Sequence, residues 1–571
     1  MLHNKEQALA EGEGEGKLRR KKNGEAQGKP GKTFDLEGGD RMIKKKRQGG
    51  TISRRDFLRT VGVVGSGLAL QGFSPRMSFA QSEKYGGLLR VSGTFGLTTL
   101  NPMMHISAAE WVVTKWMYNN LARLNYKREV VPDLAESWEA KENGKVWVFK
   151  LRPGVKFHIG REVTAEDVVA TFQTILDPKT AAPYRGEIGP IDKVEALDKY
   201  TVRFTLKMIF ADFPAALTIP ASRIIAREGL ADFKGLAAKE FGSGPFKLKE
   251  FVPGDHVTVE RFPDYFKKGF PYLDGVNFKI FPESMTEITA LKNKEIDMIL
   301  DVTPELYSQV ATLPGVDGMA VPGGTFSNVI MPSDKPPFND NRVREALKYT
   351  VDRNLMLAAV YGKHGEIGND HPVSSAYAFY ADLPKRQQDI KKAKALLKEA
   401  GYPNGFAFKL SVSSSPPIRE KIAVVLKEMA RPAGFNMEIE VMGYDRFLSQ
   451  VWNKGVPYIG YYGTRPTADA ILMKLYHPKE GLDEGRWAAS HPDAIKLLEQ
   501  ARETVNIEKR NKLYGDFQKI SRDEGPFIIA FFRNELSAKG NYVKDFHLNP
   551  SNYELEVDEV WLSSEAPKKK G

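Results

Sequence analysis

The cleanest alternation of apolar and polar positions lies at 198–207, where Tyr200, Val202, Phe204 and Leu206 alternate with Thr201, Arg203, Thr205 and Lys207. A period of two predicts a strand buried on one face. Shorter stretches predict strands at 88–91, 146–151 and 246–251, and again through Val276, Phe278 and Ile280. Residues 291–299 read as a helix end passing into a strand. Between 131 and 169 an apolar-anchored entry (Pro132, Leu134, Trp138) leads through a polar turn at 142–144 to the strand at 146–151. A second turn at 152–154 follows. A helix then starts at Thr164, with Asp167 in its first turn, where a carboxylate meets the positive end of the helix dipole.

The second half changes period. At 340–360, Val343, Ala346, Leu347, Thr350, Val351 and Leu355 share one helical face, with Asn339 or Asp340 as the cap. Residues 390–400 form a further helix, ended by Gly401 with Pro403 just beyond. A strand at 406–412, a helix at 418–429 and a strand at 435–441 follow on short links, which predicts a parallel pair with its crossover helix. Proline and glycine punctuation at 314–324 and 332–337 marks the expected crossing between domains.

Size and charge then narrow the class. The chain has 571 residues, 42% of them hydrophobic, enough for two or three packed domains. Its formal charge of +11 suggests a nucleic-acid partner until it is located. Residues 1–80 carry 17 Lys/Arg against 9 Asp/Glu, whereas the remaining 491 carry 66 against 63. The body is nearly balanced, so a nucleic-acid partner is not expected. With no cysteine, the chain has no disulfide, thiol nucleophile, Cys-ligated zinc or lipid-bearing cysteine.

Residues 1–52 are rich in Gly, Lys and Glu, a composition that buries no core and is expected to be disordered. GEAQGK at 24–29 lacks a Ser/Thr after Lys29 and follows no predicted strand, so it is not read as a phosphate loop. Met42 offers a second possible start. Residues 53–80 hold Arg54-Arg55, the apolar run 61–70 and the ending Ser78-Phe79-Ala80, the layout of a twin-arginine secretory signal. That run is half the roughly 20 apolar residues a spanning helix needs, so cleavage after Ala80 is expected rather than a permanent anchor.

Catalytic signatures are missing. The sequence has no H-E-x-x-H, no convincing G-x-S-x-G and no Cys/His ligand cluster. His364 and His371 lie seven apart, not the four-residue spacing with which one helix face holds a metal, and read as loop or surface residues. No cofactor, metal or catalytic residue is assigned, and binding is favoured over catalysis.

Several segments together carry a resemblance. PDLAESW at 132–138, FKLRPGVKFH at 149–158, TAEDVV at 164–169, FGSGPFKL at 241–248 and NKEIDM at 293–298 stand in this order. NRVREALKYTVDR at 341–353 and KKAKALLKEAGYPNG at 391–405 continue it. The chain resembles, from about 86 to 561, the family 5 extracellular solute-binding proteins of ABC importers, the oligopeptide, dipeptide and nickel group. The resemblance implies an α/β, two-lobed periplasmic-binding-protein type II fold with an extra domain inserted in lobe one. Lobe one would span 81–325, with the insert at about 119–187. Lobe two would span 326–527, and 528–571 would return to lobe one and end in a tail.

It also implies where a ligand sits. Loops at strand ends line such clefts, which points to Thr98, Asn101, Met104 and His105 in lobe one. In lobe two it points to Tyr461, Tyr462, Arg465 and Asp469, with Trp487 lining the cleft or capping a helix; Trp116 and Trp138 are expected in the core. Peptide-binding relatives often place an Asp for the peptide ammonium where this chain has Thr467. Dipeptide binders supply an Arg before the helix at 418, where this chain has the loop 413–417 without one. Simple dipeptides are therefore expected to bind weakly, with Arg465 contacting the true ligand. The alternative is that the tyrosines are strand core and that Arg465 and Asp469 pair on the surface.

The leading functional reading is an exported, periplasmic monomer that captures a peptide or other polar organic solute and delivers it to an inner-membrane ABC permease. Its precursor would use the twin-arginine export machinery. A secreted enzyme with a similar cleft, or a receptor serving a sensor without import, are the alternatives.

Overall fold

The computed structural model describes residues 84–93, 96–551 and 554–567. The twin-arginine segment, the basic front and the expected cleavage site lie outside the described residues.

Lobe one is built on an eight-stranded sheet. Its order is Val316–Phe326, Phe531–Gly540, Met298–Ile299, Leu88–Gly93, Gly275–Ile280, His256–Arg261 and Phe246–Val252, with Gly365–Ile367 pairing separately to Phe531–Gly540. Leu88–Gly93 runs parallel to Gly275–Ile280 and to Met298–Ile299. The carboxyl ends of these three strands therefore open on the same edge. A four-stranded antiparallel sheet, Ala135–Lys141, Val146–Leu151, Thr201–Leu206 and Ile191–Asp198, shares one apolar core with it. The alternation at 198–207 acts as read: Val202, Phe204 and Leu206 are buried while Thr201, Arg203 and Thr205 are only half-buried. This sheet runs to Leu206, so an inserted unit ending near 187 would lose two of its four strands.

The helix Ala165–Leu176 starts where Thr164 and Asp167 close a capping box. Asp167 is fully buried. Burial opposes its charge, but Arg161 at 2.7 Å and the Thr164 amide and hydroxyl hold its carboxyl below the usual range.

Lobe two is built on a five-stranded sheet in the order Phe435–Met442, Phe406–Ser413, Tyr458–Ile459, Val329–Ile330 and Phe527–Ile528. The first two strands are parallel over their full length and joined by the helix Ile418–Ala430, as the sequence pattern predicts. Its apolar residues fall into two clusters, one containing Ile330, Tyr458 and Phe527, the other Val329, Ile459 and Ile528. Neighbouring residues of each short central strand thus enter different clusters, which is why these strands are apolar throughout.

Two strand pairs carry the chain between the sheets. It leaves lobe one after Phe326 and enters lobe two at Val329; it leaves lobe two after Ile528 and re-enters lobe one at Phe531. Residues 314–324 are accordingly mostly strand rather than a loop crossing. The expected single helix at 340–360 is two, Asn341–Tyr349 and Arg353–Tyr361. The Asp352 carboxylate accepts the Leu355 amide at 3.0 Å and caps the second helix, a competition with the helical backbone that apolar periodicity does not register. His371 is in a loop but not on the surface: it is 1% exposed, and burial lowers its pKa to about 3.

Candidate functional site

The side chains that meet between the lobes cluster around Tyr461, which follows the short central strand Tyr458–Ile459 of lobe two. Its phenol oxygen accepts a hydrogen bond from Arg533 Nη1 at 2.6 Å. Arg533 sits near the start of Phe531–Gly540, where the chain has just returned to lobe one, and its guanidinium lies 4.8 Å from the Tyr361 ring centre. Arg419, in the first turn of Ile418–Ala430, lies 5.9 Å from the Tyr461 ring and 5.2 Å from that of Phe447. Arg419 is 6% exposed, and its Nε and Nη1 have no hydrogen-bond partner among the described residues. Burial lowers its pKa, more than the surrounding tyrosines and Glu484 raise it.

The acids of the cluster come from lobe one. Asp301 follows Met298–Ile299, and Glu535 lies on the same strand as Arg533. Burial raises the pKa of both, with Arg533 opposing; for Glu535, where Asp301 adds repulsion, the value reaches about 8. Tyr461 feels all four charged groups, Arg533, Glu535, Asp301 and Arg419, and burial raises its own pKa. Two cations, two acids and two phenols thus face one region that only the strand crossings bring together. The arrangement supplies charge and hydrogen bonds to a dipolar guest. None of these groups forms the hydrogen-bonded nucleophile and base that covalent catalysis uses.

Farther out, the lobes touch directly. Arg128 donates to the carbonyls of Arg465 and of Pro466, the latter at 2.9 Å, and stacks 5.1 Å from the Tyr377 ring centre. Arg510 pairs with Asp212 at 2.6 Å, and the Ala211 amide donates to the Arg502 carbonyl at 2.8 Å. Beside these contacts lies a cavity of about 180 Å³ lined by Glu187, Phe210, Arg465, Thr467, Asp469 and Arg502, among others.

The expected site residues have varied placements. Arg465 and Asp469 do not pair with each other. Arg465 reaches Glu187 of lobe one at 3.3 Å, while Asp469 accepts from the Tyr514 hydroxyl at 3.0 Å with Arg502 at 3.6 Å. Burial lifts the Asp469 pKa to about 6. Thr467 caps the helix Ala468–Tyr476 by accepting the Ala470 amide. Tyr462 is buried with its hydroxyl on Glu484 at 2.7 Å. Trp487 does not line the gap: it is 0% exposed, stacks on His491 at 4.2 Å, and donates to the Glu524 carbonyl at 3.1 Å. The glycine-rich run before it reads as a loop, yet the indole fills the second lobe's core. Trp116 is core as expected, and Trp138 packs at the edge of the same cluster.

The lobe-one loop is tied down by its own chain. Glu110 accepts from the Thr98 hydroxyl at 2.7 Å and from the amides of Thr98, Thr99, Ile106 and Ser107. Asn101 accepts the Met103 amide, Met104 is half-buried, and His105 is buried against Thr114, with a pKa well below the ordinary value because of burial. Of the nine expected residues, Tyr461 belongs to the central cluster, and Arg465 and Asp469 border the outer cavity. Arg419, Arg533, Asp301 and Glu535 were not expected. Asp301 carried a signal, standing just past a predicted strand end. The loop 413–417 lacks an arginine, as read, and Arg419 stands two positions beyond it, beside Tyr461.

Residues 129–482 match the family described as bacterial extracellular solute-binding proteins, family 5. The chain is 26% identical over 529 residues to the oligopeptide-binding protein AppA of Bacillus subtilis (strain 168), covering 87% of this chain and 95% of that protein. It is 27% identical over 467 residues to the glutathione-binding protein GsiB of Escherichia coli (strain K12), covering 79% and 90%. The structure of HbpA2 from Haemophilus parasuis superposes with a TM-score of 0.76 at 26% identity, over 84% of this chain and 100% of that one.

Proposed function

The chain belongs to the family 5 bacterial extracellular solute-binding proteins, and from that premise we propose that it captures a dipolar organic solute, a peptide by preference, in the cluster around Tyr461. The protein is the substrate-binding component of an ABC importer; the relatives that bind oligopeptide and glutathione support a peptide-like ligand. The observation that carries the reading is the meeting of Arg419 and Tyr461 from lobe two with Arg533, Asp301 and Glu535 from lobe one. Rigid lobes that close on a ligand place such groups where both lobes contribute. Arg419, whose Nε and Nη1 have no hydrogen-bond partner among the described residues, gains one when a carboxylate enters.

We divide the lobes at the strand crossings, a few residues from the expected bounds, with 84–326 and 531–567 in lobe one and 329–528 in lobe two. Export through the twin-arginine machinery to the periplasm follows from Arg54-Arg55 and the short apolar run behind them. No helix among the described residues is long and apolar enough to cross a membrane. Delivery to an inner-membrane permease as a monomer completes the reading, and binding without turnover sets it apart from an enzyme. The test is purification from exported material without denaturation, followed by mass spectrometry of the co-purifying solute. An intact solute released on unfolding is expected. A steadily hydrolysed solute, or repeated recovery of empty protein, would overturn the reading.

A further inference from the structure

Glu287 is the most exceptional acid of lobe one. It lies in the helix Ser284–Lys292 that follows Gly275–Ile280, is 1% exposed, and has no hydrogen-bond partner on either carboxylate oxygen among the described residues. A buried carboxylate without a partner is costly, and native structures satisfy nearly all such groups. Burial raises its pKa to about 7 and the charge of Asp301 pushes the same way; the nearby Ser92 hydroxyl, whose hydrogen bond goes to the Met298 carbonyl at 3.4 Å, is close enough to oppose as a donor. Ser92 belongs to Leu88–Gly93, the parallel neighbour of both Gly275–Ile280 and Met298–Ile299. Glu287 and Asp301 thus follow the two parallel strands that flank Leu88–Gly93 on either side, beyond their carboxyl ends, the position at which open α/β sheets receive ligands.

Charge balance points the same way. Asp301 also neighbours Glu535, so three acids share this side of the junction, and Arg533, the cation set against Asp301 and Glu535, donates to Tyr461. The described residues include no group of three or more His, Asp or Glu side chains placed to hold a metal ion, which favours an organic cation. We propose that Glu287 and Asp301 form a subsite of lobe one that receives a protonated amine or guanidinium of the captured solute. The inference rests on the reading of the Tyr461 cluster as the capture site and adds the class of solute: one with a basic group directed into lobe one.

The test is calorimetric titration of the full chain with alanyl-lysyl-alanine and with its norleucine counterpart, which keeps the carbon chain and loses the charge. The lysyl peptide is expected to bind at least about tenfold tighter, in line with a desolvated charge pair. In the Glu287→Gln, Asp301→Asn double variant this preference falls to within about twofold. Glu287→Gln alone raises the midpoint of thermal unfolding, the opposite of what a structural acid would do, because it removes an unpaired buried carboxylate. Equal affinity for the two peptides in the unaltered protein, or an undiminished preference in the double variant, overturns the subsite while leaving solute capture intact. Failure of both peptides to bind also overturns it, and capture is then judged by the co-purified solute alone. A calcium chloride titration is the control: saturable calcium binding lost in the double variant assigns the acids to an inorganic cation and overturns the amine reading.

Discussion

Two buried acids, Asp370 inside lobe two and Glu287 at the edge of lobe one, are treated in opposite ways. Asp370 accepts from Arg353 at 2.8 and 2.6 Å, from Arg386 at 3.2 Å and from the Ile529 amide at 3.3 Å. Burial works against its charge, but Arg353, Lys348 and Arg386 hold its carboxyl below the ordinary value. Glu287 has no such partner among the described residues, and its pKa rises to about 7. The same contrast separates Glu484, bonded to Tyr458, Tyr462 and Asn328, from Arg419, whose Nε and Nη1 are unmatched. Asp370 and Glu484 are completed by the fold around them. Arg419 Nε and Nη1 and both Glu287 carboxylate oxygens are left without a hydrogen bond among the described residues, atoms that a ligand of the proposed kind would complete.

The largest effect should come from breaking the completed side. Asp370→Asn leaves two buried arginines without their anion and should lower stability by about 3–5 kcal/mol, read from denaturant midpoints. A loss under about 1 kcal/mol would erase the contrast between the two regions. On the open side, Arg419→Gln should weaken the co-purified solute by about 2–5 kcal/mol in calorimetry while thermal stability holds or rises. Stability lost together with affinity would make Arg419 a structural residue.

The direct inter-lobe contacts give a smaller, purely conformational effect. Asp212→Asn loosens the 2.6 Å pair with Arg510 and should weaken solute affinity about tenfold, near 1.4 kcal/mol, without touching the Tyr461 cluster. Unchanged affinity would mean that these contacts do not hold the closed form.

The smallest effect is in pH. Burial lifts Glu287 to about 7 and Glu535 to about 8, both above their ordinary value of 4.5. The native state then binds more protons than the unfolded chain between those limits. The stability these groups contribute is whole below 4.5 and lost as pH rises through 7 and 8. Asp370 and Asp167, whose values are lowered, act oppositely and lose their contribution in acid. Denaturant midpoints should fall from pH 5 to pH 8.5, and Glu287→Gln should flatten part of that slope; a flat wild-type profile would contradict the burial of these acids.

What the sequence made legible was local. The alternation at 198–207, the Thr164 cap and the parallel pair around Ile418–Ala430 rest on nearest-neighbour chemistry and appear as read. The break between Tyr349 and Arg353 escaped because apolar spacing continues through it while Asp352 starts a new helix. The central cluster escaped for a different reason. Asp301, Arg419, Tyr461 and Arg533 come from four separate elements, and only the two strand crossings bring them together. No spacing rule covers that. Thr98, Asn101 and His105 looked open because loops at strand ends often are, whereas Glu110 occupies Thr98, a local turn occupies Asn101, and Thr114 meets His105 at Nδ1 alone, its Nε2 having no partner among the described residues.

Small-angle scattering of the protein stripped of its co-purified solute, before and after that solute is returned, tests capture between closing lobes most directly. The account predicts a smaller radius of gyration on loading with unchanged secondary structure. Identical scattering profiles at saturating solute would contradict it.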